Sequence, residues 1–182
     1  MKNTILCVSV LCVFLGLLSC KNEDERIRKE IIGSFHYAIG REGNMGFSSV
    51  VEGIETFHED GTVSDNSILT LKVLNERVGE LLIRFEVELK GKYEINNSYI
   101  IYDYSDDDAI INIEMLPVEN AGDNEVFIEE LQAQITNNFV SSYKERMADA
   151  NAANIYELNE ENLVILNPEG EKIIKERVTD DD

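Results

Sequence analysis

The chain of 182 residues is poor in cysteine, which occurs only at Cys7, Cys12 and Cys20. Residues 21–182 contain none, so a disulfide framework is excluded for most of the chain. The same absence removes thiolate metal sites and cysteine nucleophiles. We therefore expect the fold to be stabilised by packing alone.

Histidine is equally scarce, with only His36 and His58. Their spacing matches no zinc motif. The sequence also lacks a Gly-x-Ser-x-Gly nucleophile elbow, a phosphate-binding glycine loop and a zinc-protease helix. We predict no catalytic residue, no cofactor and no enzyme activity. A hydrolase that uses the two histidines or a pair of carboxylates is the alternative, and it requires these groups to meet in one cleft.

Basic residues are few, with 16 Lys and Arg against 36 Asp and Glu and a formal net charge of -20. A chain this acidic repels phosphate groups and has no basic patch, which excludes nucleic acid as a partner. It also repels anionic lipid, so attachment to a membrane surface would need a covalent lipid.

The apolar run at residues 5–18 is shorter than the roughly 20 residues that a membrane-spanning helix needs. Lys2 precedes this run, as in a secretory signal peptide. The tetrapeptide Leu-Leu-Ser-Cys at 17–20 resembles the bacterial lipobox, in which the cysteine becomes the lipid-modified first residue. The resemblance implies a signal peptide over 1–19 and a lipid on Cys20. It further implies a cell-envelope protein anchored to the outer membrane, either surface-exposed or periplasm-facing. An uncleaved membrane anchor is the alternative.

The rest of the chain alternates apolar and polar residues in short runs separated by turn residues, which predicts antiparallel strands. The alternation is clearest over 81–95, where the apolar residues share one parity and the charged residues the other. Asp60-Gly61 is the strongest hairpin signal. The polar stretch Ser-Asp-Asn-Ser at 64–67 is predicted to interrupt the strand that follows this turn.

A helix is predicted at about 124–150, after Pro117 and Gly122 have broken the alternation. Asp123 is suited to cap this helix, and acidic residues lie near its start and basic residues near its end. Its apolar residues fall on one face, so we expect it to brace the sheet. Strands are predicted to resume at residue 155.

Short antiparallel strands with tight turns bury one face and remove their free edges most simply by closing into a barrel. The predicted fold class is therefore mainly β with one long α-helix, arranged as an antiparallel meander β-barrel. We expect a tether with a short helix over 20–31, one barrel domain over 32–178 and a frayed tail over 179–182.

Four segments resemble the lipocalin-like lipoproteins of Bacteroidota-type bacteria. They are Gly33-x-Phe35, Thr-Phe-His-Glu-Asp-Gly-Thr-Val at 56–63, Gly-Lys-Tyr-Glu-Ile at 91–95 and Asn-Leu-Val-Ile-Leu at 162–166. The resemblance implies a lipocalin-like barrel that binds a small apolar molecule or a glycan. A structural, accessory or inhibitory envelope protein that acts through protein–protein contacts is the alternative.

Four tyrosines cluster around one predicted hairpin, and they are candidates for a ligand-binding wall: Tyr93, Tyr99, Tyr102 and Tyr104. Aromatic rings offer a ligand both a stacking surface and a polar tip. The strand propensity of tyrosine explains the cluster equally well.

An acidic loop follows these tyrosines and gathers Asp103, Asp106, Asp107 and Asp108. Carboxylate oxygens close together are what a calcium site requires, which makes this loop the candidate metal site. The loop lacks the glycine and the terminal glutamate of an EF-hand. A solvated turn in an acidic protein is the alternative.

Overall fold

The computed structural model describes residues 23–42, 47–75, 79–104, 109–117, 127, 129–130, 132–138, 140, 151–167 and 170–179. These residues contain nine antiparallel strands. The strands are β1 (Gly33–Glu42), β2 (Ser48–Phe57), β3 (Thr62–Asn75), β4 (Gly79–Asn96), β5 (Tyr99–Tyr104), β6 (Ile110–Pro117), β7 (Asn151–Leu158), β8 (Asn162–Leu166) and β9 (Lys172–Arg177). Helix α1 covers 23–30, and the described residues of helix α2 lie between 127 and 140.

Eight of these strands close into a ring in the order β1-β2-β3-β4-β5-β7-β8-β9, and β9 pairs back with β1. Strand β6 lies beside the ring. It pairs with the first half of β4, whereas β5 pairs with the second half of the same edge. The predicted antiparallel β-barrel is confirmed.

The hairpin predicted at Asp60-Gly61 is also confirmed, since β2 pairs with β3 from the turn onward. The Asp60 carboxylate accepts hydrogen bonds from the backbone N–H and the hydroxyl of Thr62, at 2.9 and 2.6 Å. Gly61 has a φ of 82°, which glycine adopts without strain. The predicted interruption at 64–67 is wrong, because β3 runs through it and is paired on both sides.

Strand β4 changes its partner near Gly91, where the backbones of β4 and β5 approach closely. A Cβ at this position would lie 2.4 Å from the carbonyl oxygen of Asp103 and 2.7 Å from the Cα of Tyr104. No side chain fits there, so the close approach requires glycine.

The long helix predicted at about 124–150 is not shown, because both described helices are short. The residues at 124–126 and 141–150 lie outside the described part of the chain, and β7 begins at Asn151 rather than at 155. Of the predicted tail at 179–182, only Thr179 is described. Neither described helix is both long and apolar enough to cross a membrane.

Two apolar clusters fill the fold at different heights. The first, here called the closed-end core, consists of Ile27, Ile31, Phe35, Phe57, Val63, Ile95, Ile100, Tyr102, Ala153, Leu163 and Ile165. The second, here called the far lining, is built on Leu81, Ile83, Phe85, Val87 and Leu89, with Leu69, Leu71, Val73, Ile111, Ile113, Phe127 and Ile135 packed against them. Because Ile27 of α1 and Ile31, just after the helix, belong to this core, α1 covers one end of the barrel. The other end carries the far lining and α2.

Candidate functional site

Three charged side chains are buried inside the barrel. They are Glu55 on β2, Asp65 on β3 and Lys175 on β9, and each is less than a tenth exposed. The pairing register places Glu55 directly opposite Asp65, and Lys175 opposite Tyr37 of β1. Buried charges cost free energy unless they are paired and hydrogen-bonded, so their partners decide what this site can do.

Glu55 is the centre of the arrangement. Its Oε2 accepts hydrogen bonds from Lys175 Nζ at 2.6 Å and from the Tyr102 hydroxyl at 3.3 Å, and its Oε1 accepts one from the Tyr104 hydroxyl at 3.2 Å. The rings of the two tyrosines stack with their centroids 5.5 Å apart. Burial, with the charge of Glu55 as the next cause, raises the pKa of both tyrosines well above the usual range, so both stay hydrogen-bond donors.

Asp65 forms the second half of the site. The Tyr37 hydroxyl donates to both of its carboxylate oxygens, at 3.0 and 2.8 Å. Burial raises the pKa of Asp65 to about 6, and the neighbouring charge of Glu55 adds to the rise. Lys175 Nζ also lies 5.0 Å from the centroid of the Tyr37 ring, which adds a cation–π contact.

Gly53 makes room for this tyrosine. A Cβ at Gly53 would lie 2.9 Å from the Tyr37 hydroxyl oxygen and 2.7 Å from the Cβ of Ser67. Glycine at this point of β2 therefore lets the Tyr37 hydroxyl reach Asp65. We call the set Tyr37, Glu55, Asp65, Tyr102, Tyr104 and Lys175 the interior polar cluster.

The interior polar cluster lies between the two apolar clusters. Tyr102 belongs to the closed-end core, and Tyr104 packs against both that core and the far lining. The far lining is less completely covered, because its members from β3, β6 and α2 are partly exposed. The polar groups thus form a layer between the closed-end core and the partly exposed far lining.

The four tyrosines predicted from the sequence do not form one wall. Tyr102 and Tyr104 belong to the interior polar cluster. Tyr93 instead packs edge-on against Phe57, with ring centroids 5.0 Å apart, and its hydroxyl donates to the His58 carbonyl oxygen. Tyr99 is 43% exposed at the start of β5.

Of the predicted calcium ligands, only Asp103 falls within the described residues, whereas Asp106, Asp107 and Asp108 lie outside them. Asp103 is exposed on β5 and borders an outer groove of about 600 Å³, whose other lining residues include Lys90 and Lys92. In the described part of the chain, no group of three or more His, Cys, Asp or Glu side chains is placed to hold a metal ion.

The two histidines do not meet. His36 lies on the outer side of β1, where its Nε2 contacts Glu52 Oε1 at 3.1 Å. Its register partner on β2 is Ile54, and His58 follows four residues later, which places it about 13 Å further along the strand. The histidine-based hydrolase therefore lacks the geometry that it requires.

Four residues of the interior polar cluster were not predicted from the sequence: Tyr37, Glu55, Asp65 and Lys175. The signal available in the sequence was the even or odd position of the two acidic residues within their strands. Glu55 has the same parity as the buried Phe57, and Asp65 has the same parity as the buried Val63. Charged residues at inward positions of a barrel strand indicate a polar layer in the interior.

No family model matches this chain, and no curated protein matches it. The class of protein is therefore described from the fold and the buried side chains. The described residues form an antiparallel β-barrel that carries a charged, hydrogen-bonded cluster in its interior.

Proposed function

We propose that this protein is a non-enzymatic, lipid-anchored binding protein of the cell envelope with a lipocalin-like barrel. The proposed ligand is a small molecule with an apolar body and one hydrogen-bond donor, such as a hydroxyl or an amine. The lipobox-like tetrapeptide ending at Cys20 supports the anchor and the outer-membrane location. The buried polar cluster beneath a partly exposed aliphatic lining supports the binding site.

The interior polar cluster supports a binding role because burying charged side chains inside a barrel costs free energy. Replacement of a buried ion pair by well-packed apolar side chains of similar size is often neutral or stabilising. Groups with perturbed pKa values also concentrate at functional sites. Asp65 is such a group, and it is buried inside the barrel rather than exposed on the surface.

The hydrogen-bonding groups of the interior polar cluster favour a ligand that carries a donor. An ionised carboxylate has about four acceptor positions. Glu55 uses two on Oε2 and one on Oε1. A donor entering beside Tyr104 finds the remaining position on Oε1. The site also holds two carboxylates against one ammonium group, so it suits a neutral or cationic donor better than an anion.

The aliphatic side chains of the far lining favour the apolar ligand over the glycan, which was the other expectation from the sequence. A glycan needs many hydrogen-bonding partners along its length. Leu69, Leu71 and Val73 of β3 offer none with their side chains, whereas they suit an alkyl or ring system.

Native mass spectrometry of the protein purified from its own envelope tests this proposal. We expect a bound small molecule on the natural chain, and less of it on Glu55→Gln, which keeps the size of the side chain and removes its charge. Glu52→Gln is the matched control, because Glu52 lies on the same strand with an exposed side chain. An empty natural protein, or equal occupancy in both variants, would contradict the proposal.

A second function is supported by apolar side chains on the outer face of the barrel. Val50, Ile54, Ile68 and Ile110 are each more than a third exposed. Ile54 and Ile68 are diagonal neighbours on adjacent strands, and Ile68 and Ile110 flank β4. Such residues suit an accessory or inhibitory protein that binds a partner through this face. Loss of a co-purifying protein in Ile54→Lys, with the small molecule retained, would favour this second function.

A further inference from the structure

Helix α1 is fixed to the closed end of the barrel and begins three residues after Cys20. Its Ile27 is 2% exposed and its Ile31, just after the helix, is fully buried, so both side chains are part of the closed-end core. Burying two isoleucines stabilises the docked helix by roughly 3–6 kcal/mol. Residues 23–31 therefore pack against the barrel, and the short helix predicted within the tether at 20–31 is present as α1.

Polar contacts hold the first turn of α1 in place. The Asp24 carboxylate accepts hydrogen bonds from the backbone N–H groups of Asn97 and Ser98, both at 3.1 Å. These two residues form the β4–β5 turn and have φ angles of 51° and 61°. Arg28 donates to the carbonyl oxygen of Ile95 at 2.9 Å. The start of α1 is thus tied to the end of β4.

The end of α1 is held as well. The Arg177 guanidinium donates to the carbonyl oxygens of Glu30 and Ile32, at 2.6 and 2.9 Å. Arg177 is the last residue of β9, so the helix is fastened on opposite sides of the barrel. Rotation of α1 away from this end would break these contacts and expose Ile27 and Ile31.

The covalent chain then limits where a lipid on Cys20 can lie. Three residues span at most about 11 Å, so Cys20 stays within that distance of Glu23. The face of α1 that points away from the core is charged, and Arg26 forms ion pairs with Glu23 and Glu30. A charged face of this kind rests among lipid headgroups and does not enter the hydrocarbon.

We infer that the closed end of the barrel faces the lipid surface, and that the end with the far lining points into the aqueous phase. The occupant of the α1 surface is therefore the headgroup layer of the membrane that holds the Cys20 lipid. This inference rests on the proposed lipidation of Cys20. It adds that a ligand reaches the interior polar cluster from water and not from the bilayer.

The length of β4 makes the orientation measurable. This strand runs for 18 residues from Gly79 at the far end to Asn96 beside α1. With a rise of about 3.3 Å per residue and a tilt of about 40°, its ends differ by about 40 Å along the barrel axis. Leu74 lies at the far end of β3, and Glu160 lies in the turn before β8 at the closed end.

The test is energy transfer from a single dye on the protein to labelled lipids. The full-length protein is produced with its own lipid and placed in phosphatidylcholine vesicles that contain an acceptor-labelled lipid. A ketone-bearing amino acid replaces Glu160 or Leu74 and carries the donor dye. We expect several-fold stronger quenching at 160 than at 74. Equal quenching, or stronger quenching at 74, would overturn the inferred orientation.

An insertion provides the matched control. Ten Gly and Ser residues placed between Cys20 and Glu23 add a flexible spacer of about 17 Å, and the difference between the two donor positions should shrink. An unchanged difference would show that the short connection does not set the orientation, which overturns the inference.

A failure of lipidation can be told apart from a failure of orientation. The mass of the N-terminal peptide reports directly whether Cys20 carries a lipid. If it does not, the proposed anchor is wrong, and the same dye measurement is made on the chain from Cys20 onward after coupling its thiol to a maleimide lipid. In that arm the quenching ratio alone decides whether the docked helix fixes the orientation.

Discussion

Asp65 gives the most direct physical test of the interior polar cluster. Burial and the charge of Glu55 raise its pKa to about 6, despite the opposing effects of the Tyr37 hydroxyl and of Lys175. No charged group on β4 faces Asp65 from its register partner, because that partner is Leu89. Replacement of Asp65 by Asn keeps the shape of the side chain and one oxygen acceptor for Tyr37, while it removes the titration.

The size and the sign of the effect follow from linkage. The pKa of Asp65 is about 6 in the folded protein against 3.8 for an unperturbed aspartate, and this difference corresponds to about 3 kcal/mol. The folded state binds the proton more tightly than the unfolded state. The contribution of Asp65 to stability is therefore present in full below pH 3.8 and is lost as the pH rises through 6. Asn at position 65 does not titrate, so the stability of Asp65→Asn does not fall in this way as the pH rises.

Urea unfolding followed by circular dichroism between pH 4 and pH 7.5 provides the assay. We expect the free energy of unfolding of Asp65→Asn, relative to the natural chain, to rise by about 2–2.5 kcal/mol across this range, because part of the full effect lies below pH 4. Asp103→Asn removes an exposed carboxylate from the neighbouring part of the barrel and serves as the matched control. A difference for Asp65→Asn that stays level, or falls with increasing pH, would refute the view that the fold raises the pKa of this buried carboxyl group.

Two further predictions concern stability at neutral pH. Lys175→Met leaves the buried Glu55 without its cation and should cost about 3–5 kcal/mol in urea unfolding. The double variant with Glu55→Leu should regain part of this loss, although two tyrosine hydroxyls lose their acceptor. A double variant less stable than the single one would argue against the pairing. Gly91→Ala pushes a Cβ against the backbone of Asp103 and should cost about 1–3 kcal/mol. Gly40→Ala is its control, since a Cβ there meets no atom within 4 Å, and equal losses would contradict the close approach.

The barrel itself was predictable from the sequence because most strands alternate strictly between an apolar and a polar face. In β4 the even-numbered Arg84 and Glu86 face outward and the odd-numbered Ile83 and Phe85 are buried, as the pattern indicated. Tight turns such as Asp60-Gly61 then pair the strand before them with the next strand in the sequence. Closure follows from the need to pair the two outer edges.

The same pattern failed where the interior is polar. The stretch 64–67 has polar residues at both parities, which in a sequence is indistinguishable from a turn. In the fold, Asp65 is buried beside Glu55, while Asn66 is exposed on the outer side. The strand continues because the interior polar cluster supplies partners for its inward polar side chain. The missed strand and the missed site therefore have one physical cause.

The position of the interior polar cluster between the two apolar clusters also bears on the end from which a ligand can reach it. On the α1 side, Phe35, Phe57 and Leu163 are almost completely buried, so this end is filled with side chains. On the other side, the lining from β3 and α2 remains partly exposed. A ligand that approached from a membrane beneath α1 would have to displace the closed-end core, whereas one that approached from the far end meets aliphatic walls first and Glu55 last. The docked helix and the position of the interior polar cluster therefore favour the same path, from water to the cluster.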